Sequence, residues 1–148
     1  NVSKPINIAL SKPATASNSH PACPVIDIND GNPSESSRWA ASDSTLPAWV
    51  EIDLGTPTRV NTLVLSENIV PEWATARISE FALQKWNGYS FDTLFTFQGT
   101  FSVEHIFKFD TIESEKVRIL ISALRPDTSI NSAGQTDPSL TEIELYCY

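Results

Sequence analysis

The run Asp27-Ile28-Asn29-Asp30-Gly31-Asn32-Pro33-Ser34-Glu35-Ser36-Ser37 gathers carboxylates, amides and hydroxyls into one short stretch. Hard cations such as Ca²⁺ take roughly six to eight oxygens from carboxylates, amides and backbone carbonyls. A tight turn through Gly31 can aim several carbonyls at one point. The spacing is not that of an EF-hand loop, because the terminal Glu is out of place. The same residues also describe a polar Asx-type turn, and on spacing alone that is the more ordinary reading.

Catalytic chemistry has little to work with. The two histidines are His20 and His105. His105 lies on the apolar face of an alternating run, which reads as a packed histidine. Neither a Gly-x-Ser-x-Gly elbow nor a phosphate-cradling glycine loop is present. A carboxylate pair could run glycoside hydrolysis. Yet Glu51, Asp53, Glu142 and Glu144 are accounted for as the polar faces of strands. The checklist of nucleophile, base and oxyanion donor stays almost empty, so no catalytic residues and no enzyme are expected.

Of the four tryptophans, Trp39, Trp49 and Trp86 sit in or beside alternating runs and read as core or sheet packing. Trp73 differs. It stands between two runs, beside Pro71 and near Glu67, Asn68, Glu72 and Arg77. An indole ring can stack on the apolar face of a pyranose, while charged neighbours hydrogen-bond its hydroxyls. The alternative, a loop anchor folded inward, describes the residue equally well.

The elements that must position these groups are strands. Val50, Ile52 and Leu54 alternate with Glu51 and Asp53 until Gly55 stops the run. Val117, Ile119 and Ile121 form a second alternating set, and Ile143 and Leu145 a third. Val103, His105, Phe107 and Phe109 alternate with Glu104, Ile106 and Lys108. Further strands are expected over Arg59–Ser66, Ile78–Trp86 and Phe91–Phe97. Turn signals separate them at Gly31-Asn32-Pro33, Gly55-Thr56-Pro57, Asn87-Gly88 and Arg125-Pro126-Asp127, with Asn87-Gly88 a strong hairpin signal. No stretch sustains a helical period, although a short helical turn fits Pro24–Asn29. Many short strands with regular turns predict an all-β jelly roll or sandwich. Ser17–Ser37, Glu67–Ala76 and Ala123–Ser139 read as long loops, where function concentrates.

Composition bounds the partners. The chain has 148 residues, 10 Lys and Arg against 18 Asp and Glu, and a net charge of −8. One domain, residues 1–148, is expected. Such a balance repels phosphate backbones and anionic lipid, so neither nucleic acid nor a membrane surface is the expected partner. No apolar run is long enough to span a bilayer. Cys23 and Cys147 have no metal-site spacing and are expected to be unpaired thiols. The chain starts at Asn1 and contains no Met. It reads as an excised module or processed chain whose targeting signal lies elsewhere. A monomer is expected.

Seven stretches in order carry a family resemblance: Asn7–Ser17, Asp30–Pro33 with Ser37–Ala40, Pro47–Gly55, Val60–Leu65, Arg77–Phe81, Lys116–Ile119 and Thr141–Tyr146. Together they resemble the discoidin, or coagulation factor V/VIII type C, domains. Within these the chain is most similar to family 32 carbohydrate-binding modules appended to secreted bacterial glycoside hydrolases such as hexosaminidases, fucosidases and sialidases. Val60–Trp86 is especially similar to modules on fucosidases and chitobiase-like enzymes. The resemblance implies an eight-stranded galactose-binding-like jelly roll and one structural Ca²⁺. It also implies a shallow site for galactose-, fucose- or N-acetylhexosamine-ended glycans, a covalently linked catalytic domain, and a secreted, periplasmic or cell-surface location.

By the same resemblance, Asp27, Asn32 and Thr141 would offer Ca²⁺ backbone carbonyls. Asp30 and Glu142 would offer carboxylates, and Ser37 its hydroxyl, its carbonyl or both. The resemblance turns the expectation at this loop from plain turn to cation site. The sugar site transfers less completely: His20 lies in the matching long loop, and Trp73, Glu67 and Arg77 lie in or near another. A protein-recognition, adhesion or spacer role is the rival reading. Phospholipid binding is opposed by the charge of −8.

Overall fold

The computed structural model describes residues 5–34, 36–67, 77–99, 104–125 and 137–148. Within them lie seven strands: β1 (Ala14–Ala16), β2 (Trp39–Ala40), β3 (Ala48–Glu67), β4 (Ile78–Trp86), β5 (Phe91–Gln98), β6 (Glu104–Leu124) and β7 (Ser139–Tyr146). One 3₁₀ turn, Val25–Asn29, is added to these. The order across the sheet is β2-β7-β3-β6-β4-β5, with β1 paired to β3, and every pairing is antiparallel.

Two long strands make this a sandwich. The first part of β3 pairs with β1 and the last part of β6; its second part pairs with the first part of β6 and with β7. Each long strand bends and so serves both layers. The bend in β3 falls between Asp53 and Thr58, where the register shifts. Gly55 sits there at φ +87°, in the left-handed region that glycine enters at least cost. The expectation that Gly55 ends a strand is thus corrected: the chain bends through it and pairing resumes. A second shift, between Val60 and Thr62, exchanges the faces of β3. Val50, Ile52 and Val60 point inward before it, and Leu63 and Leu65 after it.

The core between the layers is apolar and closed. Trp39, Phe81, Leu63, Leu65, Ile121 and Ile143 are among its fully buried members. Trp39 satisfies its indole N–H through the Asn18 carbonyl at 3.0 Å. Phe81 meets Phe95, Phe97 and Phe107 with ring centroids 5.2–6.2 Å apart. His105 packs 4.4 Å from Phe107, as a sheet histidine should. Trp49 and Trp86 are half-buried on the outer face of the other layer, under Arg118 and Lys116 respectively. Cys23 and Cys147 are both free thiols. No helix among the described residues is long and apolar enough to cross a membrane.

Candidate functional site

The acidic loop and the last strand meet. Asn29 is buried and its side-chain N–H groups donate to the carbonyls of Ala9 (2.6 Å) and Lys12 (2.9 Å), which fixes the end of the 3₁₀ turn. The chain then turns at Gly31, φ +84°. Its N–H donates to Glu142 Oε2 on β7 at 2.8 Å. Asp30 Oδ1 accepts the Asn32 N–H at 2.8 Å, and Asp30 Oδ2 accepts the Ser37 hydroxyl. Thr141 uses its hydroxyl on the Ser66 carbonyl (3.1 Å), within the sheet. Asp27 lies half-buried in the 3₁₀ turn.

The electrostatics of this cluster are unbalanced. Glu142 is 2% exposed, and its Oε1 is buried without a hydrogen-bond partner among the described residues. Burial pushes its carboxyl up to about 8, the Gly31 N–H opposes this, and the charges of Asp30 and Glu144 add to it. Two carboxylates in mutual repulsion, one orphaned oxygen and neighbouring hydroxyl and carbonyl oxygens form a donor set that suits a hard cation. No three Asp, Glu, His or Cys side chains converge among the described residues. A cation here would therefore rest on the carboxylates of Asp30 and Glu142 plus neutral oxygens of Asp27, Asn32, Ser37 and Thr141.

A second feature lies beside this cluster. Arg38, the neighbour of Ser37, lines a pocket of about 310 Å³ with His20, Ala40, Asp137 and Ser139. The wall is laid down by backbone bonds: His20 N–H to Ala40 O (2.7 Å), Cys23 N–H to His20 O (2.9 Å) and Ala41 N–H to Pro138 O (3.0 Å). His20 Nδ1 accepts the Ala22 N–H at 3.1 Å, which leaves Nε2 as the imidazole donor. The pocket thus offers guanidinium and imidazole donors beside a carboxylate and a hydroxyl.

Glu67 and Arg77 stand at the same end of the sandwich. Glu67 pairs with Leu140 of β7, and Leu140 pairs with Trp39 of β2. Glu67 itself is only 2% exposed. Its Oε1 accepts the N–H groups of Arg77 (2.6 Å) and Ile78 (2.9 Å). Its carboxylate therefore ties the end of β3 to the start of β4 and does not face solvent. Burial pushes it up to about 7, against the two N–H donors and the charges of Arg125 and Arg77. Trp73 lies in 68–76, outside the described residues.

Of the expected sugar residues, the structure sets His20 in a pocket and turns Glu67 onto the backbone N–H groups of Arg77 and Ile78. Arg38 and Asp137 were not singled out from sequence. The signal for Arg38 was its place beside Trp39: a buried ring at 39 turns residue 38 the other way. Asp137 carried no signal beyond the turn Asp137-Pro138.

A family model described as F5/F8 type C, NedA-like, galactose-binding domain matches residues 27–119. No curated protein sequence matches the chain. Among solved structures, chitosan-binding module 2 of the chitosanase/glucanase from Paenibacillus sp. IK-5, in complex with chitotriose, superposes with a TM-score of 0.76 at 20% identity. That match covers 95% of this chain and 100% of the module. CpGH89CBM32-4 of Clostridium perfringens, in complex with GlcNAc-α-1,4-galactose, gives 0.77 at 21% identity over 99% of this chain and 97% of that one. SpGH29 gives 0.75 at 24% identity over 95% of this chain, which spans 28% of that chain's length.

Proposed function

Since the chain belongs to the F5/F8 type C family of galactose-binding-like domains, we propose that it is a non-catalytic carbohydrate-binding module. Its glycan site is the pocket lined by His20, Arg38, Asp137 and Ser139. The observation that carries this reading is the pocket itself. It sets imidazole and guanidinium donors beside carboxylate and hydroxyl acceptors at one end of a rigid sandwich. Sugar hydroxyls need such paired donors and acceptors, and a shallow site gives weak, water-sensitive affinity. Trp73 supplies the stacking face.

Calcium is the second part of the reading. Held by Asp30, Glu142 and neutral oxygens of Asp27, Asn32, Ser37 and Thr141, Ca²⁺ would neutralise the two carboxylates and tie β7 to the first long loop. Its task is structural. Because Ser37 belongs to the cation cluster and Arg38 to the pocket, the ion also holds one wall of the sugar site. The module is secreted, sits beside a glycoside hydrolase domain of a longer protein, and keeps that enzyme near terminal galactose, fucose or N-acetylhexosamine. The relatives solved with chitotriose and with GlcNAc-α-1,4-galactose support a sugar as the ligand class.

Calorimetric titration with terminal galactosides, fucosides and N-acetylhexosaminides tests this. One class is expected to bind wild type, and Arg38→Ala to lose about tenfold in affinity, the scale of one charge-assisted hydrogen bond. Equal binding by Arg38→Ala would move the site elsewhere.

A further inference from the structure

Both layers of the sandwich run out of strands on the same side. Among the described residues β5 closes one layer, hydrogen-bonded to β4 alone. Residues 104–112 of β6 pair with β3 alone and close the other. The space between these two edges is filled by aromatic rings. Phe95 and Phe97 of β5 meet Phe107 of β6 with ring centroids 5.9 and 5.1 Å apart, and Phe95 lies 5.9 Å from Phe109. Phe95, Phe97 and Phe109 are only partly buried, so the core reaches the surface along this side.

The two edges are protected unequally. Strand edges commonly carry Lys, other charges or Pro, which discourage a further strand from pairing. The β6 edge follows that rule, with Glu104, Lys108 and Asp110 exposed along it. The β5 edge does not. Residues 93–98 read Thr-Leu-Phe-Thr-Phe-Gln, without a charge or a proline, in a chain of net charge −8. One register shift, between Leu83 and Gln84 of β4, leaves Leu94 as an extra residue on β5. Beyond it Phe95, Thr96, Phe97 and Gln98 pair regularly with β4.

We infer that β5 is the interface of a symmetric dimer, pairing antiparallel with β5 of a second copy about a dyad at Thr96. The strand's own pattern fits it to itself. Thr96 is exposed, and it stands between Phe95 and Phe97, which both pack against the core. Setting Thr96 opposite Thr96 sets Phe95 opposite Phe97 in both halves. Every inward residue then meets an inward residue, as a self-complementary interface requires. Two cross-strand Phe pairs carry the aromatic filling across the dyad and cover its exposed margin. Charge points to the same stretch: two copies at −8 repel each other, and an uncharged edge is where they approach at least cost. The monomer expected from sequence becomes one side of a concentration-dependent equilibrium. β5 lies at the far end of the strand order from β2, so the proposal does not rest on the glycan pocket.

Sedimentation equilibrium of the chain over a concentration series is the test. A monomer–dimer equilibrium is expected with a dissociation constant of about 100 µM, weak because a single strand edge buries little area. Raising the salt from low to physiological strength should tighten it, since like charges are then screened. Thr96→Lys and Thr96→Glu each set a charge against its own copy and should each weaken the dimer about fivefold, the scale of a like-charged cross-strand pair. Mixing the two variants should restore association, because opposite charges then meet at the dyad. Melting temperatures in dilute samples should stay unchanged, since Thr96 is exposed. A chain that remains monomeric up to about 1 mM overturns the proposal. So does a dimer indifferent to both substitutions. A dimer weakened by Thr96→Glu and strengthened by Thr96→Lys reports overall charge in place of a dyad, and overturns it as well.

Discussion

The main-chain N–H of Gly31 meets the Glu142 carboxylate at 2.8 Å across 111 residues of sequence. This bond joins the first long loop to the last strand, and it satisfies one oxygen of Glu142 while the other stays buried without a partner among the described residues. A hard cation bound there would complete what one N–H begins. Saturating Ca²⁺ is therefore expected to raise the melting temperature over the chelated protein by roughly 5–10 °C, the scale of about 3 kcal/mol of linked binding in a domain this size. Glu142→Ala should erase that difference. Identical melting in Ca²⁺ and chelator would remove calcium from the account.

Gly31 also leaves little room for a side chain. It adopts φ +84°, and a Cβ there would stand 3.2 Å from Leu10 Cδ1. Gly31→Ala is expected to cost about 1–3 kcal/mol from backbone strain alone and to weaken Ca²⁺ response, because Asp30 and Asn32 flank it. Gly55→Ala meets no atom within 4 Å, so its cost should come from its φ of +87° and leave Ca²⁺ binding untouched. Denaturant unfolding with and without Ca²⁺ separates the two.

Glu67 makes stability depend on pH. Its carboxyl is pushed up to about 7 in the fold from an ordinary 4.5. Between those values the folded state holds a proton that the unfolded state has lost. Stability from this group is then full below the unfolded value and falls as pH rises through about 7, by about 3 kcal/mol at most. Glu67→Gln keeps an oxygen for the Arg77 and Ile78 N–H groups and removes the charge. In saturating Ca²⁺ the variant should show a flatter stability profile between pH 5 and 8 than wild type, by about that amount. Parallel profiles would show that Glu67 does not titrate in this window.

Trp73 separates a stacking residue from a loop anchor. Trp73→Ala is expected to abolish glycan binding and to leave the melting temperature nearly unchanged. A fall in melting temperature of the size seen for a buried ring, about 3–5 kcal/mol of stability, would mark it as core instead.

The strand pattern was legible because period-two alternation survives in Val50–Leu54, Val117–Ile121 and Ile143–Leu145. The long strands β3 and β6 were not, because two local register shifts interrupt β3 and a turn-like Gly55-Thr56-Pro57 sits inside it. A bulge costs no composition signal; it only changes which parity faces inward. The acid-rich loop was visible as chemistry, but its partner Glu142 came only with the family resemblance, since nothing local joins residues 31 and 142. Arg38 and Asp137 reach the pocket through the pairing of β2 with β7, which single-strand patterns do not encode. Glu67 looked like a sugar ligand by its place before a loop. Only the fold shows its carboxylate turned inward to Arg77 and Ile78 N–H groups.

The most direct measurement is a glycan array probed with the folded chain, once in Ca²⁺ and once in chelator. The account predicts binding to glycans ending in galactose, fucose or N-acetylhexosamine in Ca²⁺, weakened in chelator as the wall carrying Arg38 loosens. A blank array from a folded, Ca²⁺-loaded sample would contradict the carbohydrate-binding function itself.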